Sequence, residues 1–452
     1  MGNIGLKERA QSAQPDFVGQ SIVGRGQREA ARLTREWFSS LDKAAREEKK
    51  AAYVFVMGSM SEVLRTFDLP IVFPEVTSLQ LAVRGMSEEL LKKSEDYGYS
   101  PDVCGYVKSD VALHLSGGHH PMGRIPKACL SIATNACNTY FKWVEAWERI
   151  FDAPIITVDV PSERANGCKS MPMSMEYQFE VDYVAGQIKE LIARCEEITG
   201  KKFDIDKFRE HLAHSNTMNV YYKKVLDLNA NTPAVFNHLT DGLAYLGMAN
   251  CYRGSAEGAQ YFRELYEEMS YRVEHGIGAL TRVDGKMVPL EQKFRLGLRG
   301  VPCYPIIREF DEMFSKWGGI FVASGYLTWA SGGMSRPFEF DLDNPIESFA
   351  EGTVRQVREV QGGVIFDMPE IEKRGSRFNL DGVVYHGVKS CRTASSSLAD
   401  RRFCSSEEQG LPILLIESEL VDPRVVSKAQ LKNRVDAFFE GLISRQQKEQ
   451  AL

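Results

Sequence analysis

Nine cysteines are spread along the 452 residues, at positions 104, 129, 137, 168, 195, 251, 303, 391 and 404. Thiols fill small apolar gaps, act as reactive groups or ligate metals. Spacing helps to separate these uses. No C-x-x-C occurs, which removes the zinc-ribbon, thioredoxin and bacterial-ferredoxin patterns. The number is odd, and MGNIGLKERAQSAQPDF has no apolar secretory core, so a disulfide framework is not expected. A metal cluster in this chain has to be assembled from distant loops. Three cysteines stand where such loops belong: Cys104 in SPDVCGYVKSD, Cys137 in SIATNACNTYFKW and Cys391 in DGVVYHGVKSCRTAS. Each follows or borders an apolar run that reads as a strand. Loops at strand ends are where open α/β sheets present their chemistry.

Other candidates are thinner. Glu75 leaves the apolar run PIVFPE, and Ser59 ends AAYVFVMGS. His119-His120 lies in a Gly-rich loop and reads as a surface turn. His211 and His214 are one turn apart, and without a third ligand they read as a solvated helix face. Gly24-Arg25-Gly26 lacks the third glycine and the preceding strand of a dinucleotide loop. No Walker A and no G-x-S-x-G occurs, so neither P-loop ATP hydrolysis nor a nucleophile elbow is expected.

The elements that must hold these residues follow from periodicity. REAARLTREWFSSLDKAAREEKK is rich in helix formers and makes residues 1–50 an N-terminal helical arm. From 51 to 174 strand and helix patterns alternate: Tyr53–Met57, then 70–75, 128–134 and 153–161 as strands, with helix over 79–98 and after Cys137. DVALHL fits helix or strand. Alternation of this kind predicts a mostly parallel sheet wound with helices. SERANGCKSMPMS (162–174) is a turn-rich joint. Residues 175–289 form a mainly helical segment, with Asp204 placed to cap a helix. Residues 290–452 form a second α/β domain, with strands at 294–298, 319–324, 383–388 and 413–418 and a closing helix at 432–450. The fold class expected is α/β: two doubly wound, mostly parallel domains, with the site in the cleft between them.

Hydrophobic residues are 43% and charged residues 26% of the chain, with net charge −6. No Lys/Arg block suggests nucleic acid. Runs such as AAYVFVM are strand-sized, well short of the ~20 residues that span a bilayer. Leu6 departs from the myristoylation pattern after Gly2. The expectation is a cytoplasmic protein with no membrane segment.

At Cys104 the stretch YGYSPDVCGYVKSDVAL resembles the benzoyl-CoA reductase / 2-hydroxyacyl-CoA dehydratase family. So do the Cys137 stretch followed by FKWVEAWE, FPE at 73–75, VASGY at 322–326, DGVVYHGVKSCR at 381–392, IESELVDPR and KNRVDAFF. The likeness covers about residues 28–445. YVKSD, KFDIDKFREHL and SELVDPR favour the larger substrate-side subunit of the ATP-dependent reductases over the dehydratases.

The resemblance implies one [4Fe-4S] cluster per chain, held by Cys104, Cys137 and Cys391. Cys129, the main rival, sits within a strand and reads as a small inward hydrophobe. Three thiolates leave one iron without a cysteine, as catalytic metal sites keep an open position. The implied reaction is stepwise electron and proton transfer to the ring of benzoyl-CoA, giving a cyclic dienoyl-CoA. Glu75 is the candidate proton donor or polar contact and Ser59 a weaker candidate. Implied partners are a smaller homologous cluster-binding subunit, two activator subunits that hydrolyse ATP in place of this chain, and a ferredoxin as electron donor. Lys108, Arg124 and Lys389 are candidates for the CoA phosphates. Two alternatives stand beside this reading: a 2-hydroxyacyl-CoA dehydratase subunit, and a metal-free α/β binding protein with merely buried thiols.

Overall fold

The computed structural model describes residues 22–161, 175–283, 286–334, 338–366, 376–396, 398–408 and 410–451. The start of the N-terminal arm, the joint at 162–174 and Cys168 lie outside them, as does the side chain of Cys404.

The arm is the helix Arg25–Arg46, and its buried stripe is Ala30, Leu33, Trp37, Phe38 and Leu41. That stripe recurs at helical spacing, so one face meets the core. Gly26 N–H donates to the Glu268 carboxylate at 2.6 Å. The G-x-G at this helix start is therefore filled by the protein's own anion.

The first sheet contains β1 (Ala51–Tyr53), β2 (Ile71–Val72), β3 (Ala128–Thr134) and β4 (Ile155–Val158). All pairs are parallel and the order is β2-β1-β3-β4. The second contains β5 (Phe294–Gly300), β6 (Gly319–Ser324), β7 (Gly382–Val388) and β8 (Ile413–Ser418). It too is parallel, in the order β6-β5-β7-β8. The expected α/β class with parallel sheets is what the chain forms, and the two halves share one strand order. β5, β6 and β7 are wholly or almost wholly buried along their length, which is why their sequences run apolar rather than alternating.

Four local expectations need correction. β1 ends at Tyr53, and Val54–Met57 continue buried but outside the ladder. Pro74 does not close a strand; it opens the helix Pro74–Val83, and Glu75 lies in that helix's first turn. Proline suits this position because it has no N–H to leave unpaired and its φ is already helical. The helix expected over 79–98 is two helices, Pro74–Val83 and Ser87–Asp96, parted at Gly85 with φ of 70°. The ambiguous DVALHL belongs to the helix Gly105–Leu115, and helix Ser87–Asp96 comes before the loop of Cys104, so no strand borders that cysteine as the sequence led one to expect.

Between the sheets in sequence come the helices Met175–Thr199, Ile205–Leu228, Asp241–Cys251 and Ala256–Glu274. Asp204 caps the second of these, accepting from Asp206 N–H and Lys207 N–H at 3.0 and 3.1 Å. The largest apolar core runs from the first sheet through these helices to Tyr304, Leu327, Val388 and Leu420. A second cluster, around Phe310, Phe314 and Phe439, covers the other sheet. No helix among the described residues is long and apolar enough to cross a membrane.

Candidate functional site

The carboxyl ends of both sheets open on one cavity. Its wall takes Val56 from beyond β1, Glu75 from beyond β2 and Cys137 from beyond β3. From the second sheet come Val301 beyond β5, Tyr326 beyond β6, Cys391 beyond β7 and Leu420 beyond β8. Cys104 completes the set of three thiols. In each sheet the strand order reverses at the strands that deliver Val56 and Cys137, or Val301 and Cys391. Open parallel sheets bind ligands at such switch points. The space inside the wall, counted together with its open mouth, is about 820 Å³.

All three cysteines occupy the same local position. Cys104 is the N-cap of Gly105–Leu115, Cys137 of Asn138–Phe151 and Cys391 of the single turn Arg392–Ser395. The first N–H groups of a helix have no intrahelical partner and favour an anion. Burial pushes each thiol up in pKa: Cys104 well above the usual range, Cys137 upward and Cys391 to about 12. The other sulfurs add to this at Cys104 and Cys391, while first-turn N–H groups of Tyr106, Thr139, Thr393 and Ala394 act the other way. Without a cation, then, these thiols stay neutral. A metal centre reverses that by enforcing deprotonation. Among the described residues no three His, Cys, Asp or Glu side chains stand close enough to hold one metal ion. Thiolates sharing a single zinc lie about 4 Å apart, since Zn–S is about 2.3 Å. A cubane cluster spreads its thiolates over separate irons, so it does not require the three sulfurs to meet around one ion.

Specific contacts fix the three turns. The indole N–H groups of Trp143 and Trp147 donate to Asp110 Oδ2 at 2.7 and 2.6 Å. This joins the helices behind Cys104 and Cys137. Gly105 lies so close to Val421 that a Cβ there would sit 2.3 Å from its Cγ2. Glu419 accepts from Ser390 N–H at 3.1 Å and Leu420 N–H at 2.8 Å, holding the approach to Cys391. The Thr393 hydroxyl lies 3.7 Å from Cys137 Sγ. Thus SELVDPR and YVKSD, read as family stretches in sequence, work as braces for the cysteine turns.

Glu75 is 7% exposed. It accepts from Val56 N–H at 2.7 Å and from the Tyr140 hydroxyl at 2.8 Å. Burial raises its carboxyl to about 7, against the pull of these two donors. Tyr140 stacks on Phe55 with centroids 3.7 Å apart, so the phenol is fixed. Tyr140 sits one turn past Cys137, and that spacing was a legible but unread signal. Tyr326, from VASGY, lines the cavity and takes a hydrogen bond from the Tyr304 hydroxyl.

The remaining sequence candidates disperse. Ser59 hydrogen-bonds Ser61 at 2.8 Å and lines a small neighbouring cleft with Glu62 and Arg253; it does not line the cysteine cavity. Cys129 lies on β3, its thiol donating to Ala51 O at 3.4 Å, away from the cavity. Cys195, Cys251 and Cys303 are buried in the cores. Lys108 is 1% exposed and bound to Glu95 at 2.9 Å, so it cannot serve a CoA phosphate. Arg124 and Lys389 are exposed. His120, expected in a surface turn, is buried against Phe38 with rings 4.8 Å apart. His211 bonds Gly254 O at 2.8 Å, which makes it a local contact between chain segments.

Residues 53–442 match the family model described as 2-hydroxyglutaryl-CoA dehydratase, D-component. The chain is 30% identical to a subunit of the benzoyl-CoA reductase of Thauera aromatica over 396 residues, 87% of this chain and 88% of that one. It is 26% identical to the (R)-2-hydroxyisocaproyl-CoA dehydratase alpha subunit of Clostridioides difficile, over 85% of this chain and 88% of that one. With the alpha subunit of the (R)-2-hydroxyglutaryl-CoA dehydratase of Acidaminococcus fermentans it shares 25% identity, over 86% of this chain and 91% of that one.

Proposed function

The chain belongs to the 2-hydroxyglutaryl-CoA dehydratase D-component family, and from that premise we propose that it is the iron–sulfur subunit of an ATP-dependent benzoyl-CoA reductase. The observation that carries the reading is the convergence of Cys104, Cys137 and Cys391 on one cavity from three distant stretches. The donor set fits a [4Fe-4S] cluster: three soft ligands, each at a helix start, on the wall of one cavity. When bound, the cluster supplies electrons one at a time at low potential.

The rest of the proposal concerns the chain's own residues. Benzoyl-CoA takes up two electrons and two protons to become a cyclic dienoyl-CoA. Glu75 holds one of those protons on its carboxyl, since burial keeps it near half-protonated at neutral pH. A donor poised there can protonate the reduced ring and be reprotonated without a large cost either way. The Tyr140 hydroxyl and Val56 N–H orient the carboxylate left behind. Apolar lining such as Leu243, Leu246 and Val301 keeps water from the reduced ring. The smaller sister subunit, the two ATP-hydrolysing activators and a ferredoxin complete the proposed enzyme, in the cytoplasm. Lys389, exposed two residues before Cys391, is the favoured contact for CoA phosphate.

The dehydratase reading has its own support in the family description and in the dehydratase relatives. Turnover stoichiometry separates the two. The anaerobic complex is assayed with benzoyl-CoA and with 2-hydroxyacyl-CoAs while ATP and reductant are counted. Dienoyl-CoA formed with ATP consumed at each turnover is the expected result. Loss of water from a 2-hydroxyacyl-CoA, with only catalytic ATP, would replace the reductase assignment by the second.

A further inference from the structure

The helix Asp241–Cys251 lines the cavity with Leu243, Leu246, Gly247 and Asn250. These positions fall on one helical stripe. Gly247 stands out among them. Glycine is the poorest helix former after proline, so its use in a helix interior calls for a reason. Its φ is not in the left-handed region. Nor does packing within the chain demand it: a Cβ at Gly247 would meet nothing within 4 Å, whereas one at Gly242 on the same helix would strike Leu327 at 2.7 Å. Gly186 and Gly441 have equally open surroundings, but both face solvent. At Gly247 the open space belongs to the cavity.

Two polar atoms on the same wall point to a ligand. The Asn250 side-chain oxygen and the Trp329 indole N–H are buried and have no hydrogen-bond partner among the described residues. Asn250 is fixed by its amide nitrogen, which donates to Ala330 O at 2.8 Å and Leu246 O at 2.9 Å. Trp329 ends the helix Gly325–Trp329 that follows β6. Buried donors and acceptors are almost always satisfied in a working protein.

We infer that Gly247 sets the size of the acyl group the cavity admits, with the acyl oxygen held by the Trp329 indole N–H. This rests on the acyl-CoA reading of the site and adds the residue that determines selectivity within it. A Cβ at position 247 enters this open space and meets no atom within 4 Å, those of the cysteine turns included. The CoA portion of the ligand is unaffected.

The test is equilibrium binding to the anaerobic complex without ATP or reductant, so that nothing turns over. Benzoyl-CoA, acetyl-CoA and free CoA are the probes, and iron content is measured on every sample. Gly247→Leu is expected to weaken benzoyl-CoA by about tenfold or more, the scale at which a pocket rejects surplus methylenes, and to leave acetyl-CoA and free CoA unchanged. Gly247→Ala, which suits a helix better than glycine, gives a smaller loss in the same direction and serves if the leucine variant does not assemble. Trp329→Phe weakens both thioesters but not free CoA. Unchanged benzoyl-CoA affinity in the Gly247 variants, or equal loss for benzoyl-CoA and acetyl-CoA, overturns the inference. In the separate turnover assay with ATP and reductant, a wild-type complex that dehydrates a 2-hydroxyacyl-CoA and never reduces benzoyl-CoA would sink the reductase reading alone. The comparison of that thioester with acetyl-CoA then decides Gly247 in the same way.

Discussion

Cys391 and Cys195 differ in surroundings rather than in chemistry. Cys391 opens a helical turn on the cavity, while Cys195 is fully buried on the helix Met175–Thr199. Cys391→Ser should lose iron and sulfide from anaerobic preparations, because a serine hydroxyl does not replace a thiolate on iron. Cys195→Ser should keep both, and equal iron in the two variants would end the three-thiol proposal. Glu75 offers a pH test. Burial raises its carboxyl from 4.5 to about 7, so the folded chain favours the neutral acid. That contribution to stability is complete below about 4.5 and is lost as pH rises toward 7, by about 3 kcal/mol in total. Glu75→Gln keeps partners for Val56 N–H and Tyr140 but does not titrate. Denaturation midpoints of the wild type, relative to the variant, should fall across that window and stay level above it; a constant difference would show that Glu75 does not titrate there. As a proposed proton donor, its loss should also lower kcat by about a hundredfold.

At the scale of elements, each proposed ligand depends on the helix it begins. Helices Gly105–Leu115 and Asn138–Phe151 are joined through Asp110 and two tryptophans. Asp110→Ala strands two buried indole N–H groups, which should cost about 2–4 kcal/mol. The cysteine turns should loosen with it. Iron per chain should fall in step with the denaturation midpoint. Asp110→Asn retains an oxygen able to accept from the indoles and should recover most of both. Full iron retention in the alanine variant would mean that the helix pair does not set the spacing of Cys104 and Cys137. Helix starts also explain why the thiols were legible as loop residues while their exact role was not. The sequence showed apolar runs ending before Cys137 and Cys391. Nothing local to SPDVC distinguishes a strand exit from a helix N-cap, because both leave the chain extended before the cysteine.

In the whole molecule, the two halves are clasped near the site. Arg424, from SELVDPR, reaches Glu95 at 2.6 and 2.8 Å, and Glu95 also takes Lys108 from the helix behind Cys104. Hydrogen bonding from Arg424, aided by Lys108, holds the Glu95 carboxyl down at about 2. Arg424 and Glu95 are partly exposed, so Arg424→Ala should cost no more than about 1 kcal/mol. Glu95→Ala should cost about 3–5 kcal/mol, since it leaves the buried Lys108 ammonium without its counter-charge. Denaturant unfolding of the two variants reads the contrast, and equal losses would mean that Lys108 finds another partner. By itself the sequence determined the α/β class, most strand positions, the Asp204 cap and the three cysteines worth following. Those features rest on local patterns: apolar runs, capping side chains and motif order. The tertiary structure alone decided that Cys104, Cys137 and Cys391 face one cavity, that Glu75 is buried on a helix beside Tyr140, and that Ser59 and Lys108 point elsewhere. It also decided that Gly247 faces that cavity. These depend on where β1–β8 end relative to one another, and on contacts between residues hundreds of positions apart, which no local pattern encodes.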